Sequence, residues 1–120
     1  MEKSILKSIK DFVGVSEGDK VYDDEIIMYI NSSFFILNQL QIGPKEIFSI
    51  ENDASNWDTF LIDNTKDFQA AILFVKLKVK WLFDPPQSQA VLSALERQIS
   101  EIESRLNLQA EGSNEYEQTQ

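Results

Sequence analysis

Two short stretches of this chain carry residue types that could do chemistry. Gly14-Val15-Ser16-Glu17-Gly18 has the spacing of a nucleophile elbow, where a serine on a strand-to-helix turn passes its proton to a histidine. The chain has no histidine, and the stretch follows a helical pattern, so it is expected to be a loop. Glu17, Asp19, Asp23, Asp24 and Glu25 resemble the acids of a calcium loop. Their spacing misses the alternation and terminal bidentate glutamate of an EF-hand, and helix capping and solvation account for them instead. Without histidine or cysteine, the commonest general base, thiol nucleophiles, thiolate ligands and disulfides are all absent. No acid–base pair can be nominated, so neither catalysis nor a cofactor or metal site is expected. Asn31-Ser32-Ser33 fits a glycosylation acceptor, which has meaning only in a secreted chain.

The elements that place these residues read as helices. Ile5, Leu6, Ile9, Phe12 and Val13 recur at helical spacing, and Gly14 is a natural stop. An acidic linker follows over residues 15–22, then Asp23 or Asp24 caps a second helix. Its core stripe is Ile26, Ile30, Phe34, Leu37 and Leu40, and Gly43-Pro44 is expected to end it. Between residues 45 and 63 the pattern is irregular. Ile47–Ile50 suits a short extended piece, and Ser55 suits the cap of a single turn through Trp57, Phe60 and Leu61, whose aromatics would plug one end of a bundle.

The segment Phe68–Phe83 carries two apolar stripes at the helical step. Phe68, Ile72, Val75, Val79 and Leu82 form one, and Ala70, Leu73, Phe74, Leu77 and Trp81 the other, with Lys76, Lys78 and Lys80 at their edges. Such a helix is either sandwiched within its own bundle or met by another molecule. The tail Val75–Trp81 also alternates as a strand would, but no strand of matching length exists to pair with it. Pro85-Pro86 separates this helix from the next, with Ser88 as its cap. Leu92, Leu95, Ile99, Ile102 and Leu106 then form a short heptad seam. Arg97, Glu101 and Arg105 are spaced for surface ion pairs. The expectation is an all-α bundle of about four helices in one domain over residues 1–108, with a polar, disordered tail over residues 109–120.

At 120 residues the chain can bury a core without disulfides or metal. A net charge of −9 argues against nucleic-acid recognition. The N-terminus lacks the apolar run of a signal peptide, and no segment is long enough to span a bilayer, so no membrane partner is expected. No charged residue occurs between Ile26 and Pro44. Opposite the core stripe of that helix lie Met28, Asn31, Ser32, Phe35, Asn38 and Gln39. Charge depletion with Met and aromatics marks an interface core, unless neighbouring segments of the same chain cover this face. Lys76, Lys78 and Lys80 either snorkel from a buried helix to water or face an acidic partner.

Several stretches, in this order and spacing, carry a family resemblance. They are Tyr22–Ile27, Ile30–Ser32, Leu37–Leu40, Ile42–Pro44, Trp57–Phe60, Leu77–Val79, Leu82–Pro86, Leu95–Ile99 and Arg105–Asn107. Together they resemble the head–tail connector (adaptor) proteins of long-tailed phages and prophages of Gram-positive bacteria, from about Ile5 to Gln109. The Phe83-Asp84-Pro85-Pro86 junction and the following Leu95-Glu96-Arg97-Gln98 are the most specific part. The resemblance implies a helical structural protein that joins the portal protein as a ring and offers a platform to the next head-completion or tail component. It would be made in the host cytoplasm and end at the head–tail junction of the virion, with Ser88–Leu108 reaching toward the portal. On this basis Met28, Asn31, Phe35, Asn38, Gln39 and Trp81 are candidate subunit contacts. Lys76, Lys80, Arg97 and Arg105 are candidate portal or partner contacts. The competing expectation is a small acidic helical module that regulates a phage or host protein.

Overall fold

The computed structural model describes residues 4–60 and 68–118, residues 68 and 109–118 as backbone alone. Leu61, the remainder of the irregular segment to Asp63, and the Phe68 side chain lie outside the described residues. Within them the chain forms α1 (Ile5–Val13), α2 (Asp23–Gln39), a single turn α3 (Trp57–Phe60), α4 (Phe68–Phe83) and α5 (Gln89–Gln118), with no strand. The only sheet-like feature among these residues is an isolated antiparallel bridge between Ser4 and Asn56. Residues 47–50, which suited an extended piece, form no regular element.

The ends of α1 are set by short-range chemistry. The Ser4 side chain accepts from Lys7 N–H at 3.0 Å. Gly14 takes a left-handed φ of 86° and donates to Asp11 C=O, while Val15 N–H reaches Lys10 C=O at 2.8 Å. These two bonds make a Schellman stop, for which glycine has no steric cost. The end of α2 has the same geometry but not at the expected residues. Leu40 is the C-cap, Gln41 sits at φ 63°, and Ile42 N–H donates to Leu37 C=O at 2.9 Å. The buried Ile42 therefore ends the helix by docking beside Leu37, before Gly43-Pro44 is reached. Gly43 has another task. At φ 91°, a Cβ there would stand 2.5 Å from Phe60 Cε1, so only glycine lets the chain pass over that ring.

α4 is the centre of the fold and packs against α1, α2 and α5. Phe74 and Leu77 of one apolar stripe, Val75 and Val79 of the other, and Ala71 between them are buried. A helix apolar over most of its circumference is stable in water only when enclosed, so burial within the bundle accounts for the two stripes. Leu95, Ile99 and Leu106 of α5 are buried as the heptad seam requires, and Ser88 caps that helix through Val91 N–H at 3.4 Å. α5 continues as helix through Gln118, over residues expected to be disordered. Nucleation is already met within α5, so continuing the helix requires only the per-residue cost of propagation, including that of Gly112, Ser113 and Asn114, whereas starting one there would be unfavourable.

The aromatics form a plug around Phe34 of α2. Phe34 is ringed by Phe60, Phe48 and Trp57 at centroid distances of 4.7, 5.0 and 6.1 Å. Trp57 also donates from Nε1 to Ser8 Oγ at 2.9 Å, tying the plug to α1. The cap of the α3 turn is Asn56 rather than Ser55: its Oδ1 accepts from Thr59 N–H at 3.3 Å.

Candidate assembly surfaces

The two stretches with the residue types for chemistry have structural roles. Ser16 lies in an exposed turn after α1, with its carbonyl accepting from Asp19 N–H at 3.0 Å, and no strand leads into it. The acids are more interesting. Lys10, on α1, is 2% exposed, and its ammonium reaches Asp23 Oδ1 at 2.7 Å, Asp19 C=O at 2.7 Å and Glu17 C=O at 3.3 Å. One buried cation therefore gathers the linker and the start of α2 onto α1. This corrects two expectations. Asp23 does not cap α2, whose N-cap is Tyr22 without a side-chain bond, because its carboxylate is engaged by Lys10. Phe12, placed on the core stripe, is 41% exposed, and Lys10 occupies the inward position. The signal was present: Lys10 stands four residues after Leu6 and three before Val13, on the core stripe itself.

The back of α2 divides into two parts. Asn31 is taken by the following segment: it donates to Ile50 C=O at 3.0 Å and accepts from Ile50 N–H at 2.8 Å. Asn38 donates to Lys45 C=O at 3.1 Å and to Pro44 C=O at 3.5 Å. These two side chains staple the 44–50 segment alongside α2. Met28, Ser32, Phe35 and Gln39 stay exposed in one strip, Met28 at 58% and Phe35 at 49%. Asp24 and Glu25 stand at its N-terminal end. Tyr29 O–H donates to Glu25 Oε2 at 3.1 Å. That bond, then burial and the carboxylate charge, hold the phenol above its ordinary pKa of 10.0.

The remaining candidates lie on other faces. Trp81 is half-buried against the core, with Lys78 Nζ 5.1 Å from its ring centroid, so it does not join the α2 strip. Lys76 Nζ lies 5.8 Å from the Phe12 ring centroid, and Lys80 pairs with Asp84 at 2.9 Å. On α5, Arg105 meets Glu101 at 3.7 Å. Arg97 is exposed on the same helix, beside a shallow depression lined by Ser93, Glu96, Ser100 and Ser104. No helix among the described residues is long and apolar enough to cross a membrane.

The molecule is thus a small helical bundle with a charge-free exposed helix face, and its candidate residues are spread over several surfaces. Residues 5–113 match the family model described as phage connector protein, which is most of the chain. The chain belongs to that family and is a structural connector component of a phage virion. No curated protein and no solved structure matches it significantly.

Proposed function

We propose that the protein is a head–tail adaptor that binds the portal as a ring of identical copies and offers the next head-completion or tail component a platform. The observation that carries this reading is the α2 strip. In a chain of net charge −9, Met28, Ser32, Phe35 and Gln39 form an exposed helix face without a single charge. Solvated faces carry Lys and Glu, and faces buried on assembly lose them. Met28, Phe35 and Gln39 are the subunit contacts, and Asn31 and Asn38 act indirectly by holding the 44–50 segment at the rim. A closed ring joins two different surfaces of each copy, which suits a subunit with candidate residues on several faces. The outer face of α5, with Arg97 and Arg105, is the contact toward the portal.

Mixing the purified protein with portal rings tests this directly. Mass photometry and electron microscopy should show a second ring of copies on the portal. A chain that stays monomeric at high concentration and leaves the portal bare would rule the adaptor out.

A further inference from the structure

One face of α4 is partly open, with Gln69 and Leu73 exposed and Lys76 and Lys80 half-buried, and it complements the exposed face of α2. Gln69, Leu73, Lys76 and Lys80 follow each other at steps of four, three and four residues, which is one helix face. Leu73 is 37% exposed, and Phe12 of α1 lies beside Lys76 and extends the apolar part. The strip is uncharged toward its N-terminal end and basic toward its C-terminal end. The α2 strip has the opposite character: Asp24 and Glu25 at its start, then Met28, Ser32, Phe35 and Gln39. Among the described residues Lys76 has no carboxylate partner, and Lys80 has only the exposed Asp84.

We propose that the α2 strip of one copy docks antiparallel on the α4 strip of a second copy, as the repeating contact of the assembly. The register follows from helix rise. Ser32 lies seven residues after Glu25, and Leu73 lies seven before Lys80, about 10.5 Å in each case at ~1.5 Å per residue. With Glu25 opposite Lys80, the small Ser32 therefore faces Leu73. Leu73 enters the gap between Met28 and Phe35, and the stem of Lys76 lies on Met28 with its ammonium near Asp24 or Glu25. In the reverse orientation the acids would meet Gln69 and the lysines would meet the uncharged end. The two surfaces are different, so the contact is head-to-tail and each added copy leaves one of each free. The inference rests on the ring reading and names the surface that meets α2.

Native cysteine is absent, so engineered thiols report this contact without background. Ser32→Cys and Leu73→Cys full-length proteins, each at an exposed position, are mixed under oxidising conditions, alone and with portal rings. The mixture should give a covalent dimer, the single variants should stay uncrosslinked, and the S32C/L73C double variant should give a ladder of multimers. Asp24→Lys with Glu25→Lys should lower association of the wild-type chain at least about tenfold, and adding Lys76→Glu with Lys80→Glu in the same chain should restore it. Wild-type protein that assembles while the mixture stays uncrosslinked and the charge reversals have no effect would overturn this contact and leave the ring standing. Wild-type protein that stays monomeric with and without portal would overturn both.

Discussion

α4 and α2 invert what their compositions suggest. α4 is apolar around most of its circumference and lies inside the bundle, whereas half of the more polar back face of α2, the Met28–Gln39 strip, stays open to solvent. The number of apolar residues on a helix therefore does not tell which helix meets a partner. What distinguishes the open face is the absence of charge where charge would cost nothing. The α4 face proposed to meet it is the complement, with the half-buried Lys76 and Lys80 at its C-terminal end. Met28 and Phe35 are exposed in a strip of uncharged neighbours.

The largest expected effect separates the enclosed helix from the open one. Phe74, at 0% exposure on α4, should cost about 3–5 kcal/mol when replaced by Ala, read from urea unfolding. A cost near that of a surface substitution would mean α4 is not the core, and the contrast with α2 would collapse. Next comes the clamp that sets where α2 begins. Lys10→Ala leaves Asp23 beside an empty polar site and removes the ammonium from two carbonyls, and should cost about 3 kcal/mol. Amide exchange should rise over the 15–22 linker ahead of the rest of the chain. Gly43→Ala should cost about 2 kcal/mol, because it combines a left-handed φ with a Cβ pressed on the Phe60 ring. Near-ultraviolet circular dichroism should report the disturbed aromatic plug.

Much of this was legible in the sequence for a physical reason. Periodicity reports burial wherever one helix packs on another, so α1, α2, α4 and the α5 seam were readable from Ile5, Ile26, Val75 and Ile99 with their repeats. Gly14 and Ser88 were readable because their capping chemistry is local. The burial of Lys10 is hard to read from sequence, because a lysine on a short amphipathic helix ordinarily points to water, and its cage is made by residues 7 to 13 positions further on. The α2 stop falls earlier than Gly43-Pro44 suggests, because Gln41 takes a left-handed conformation that glutamine seldom adopts. Asn31 and Asn38 looked like part of an open face, since their partners at 44–50 are fixed by the path of an irregular segment rather than by spacing. The exposed strip was the half of that face that persisted.

Phe35→Glu bears most directly on the central claim that the α2 strip is built for assembly. At 49% exposure the substitution should change unfolding free energy by no more than about 0.5 kcal/mol. Incorporation into portal-bound rings, counted by mass photometry against the wild-type chain, should be lost. A folded Phe35→Glu protein that assembles as well as wild type would contradict the account.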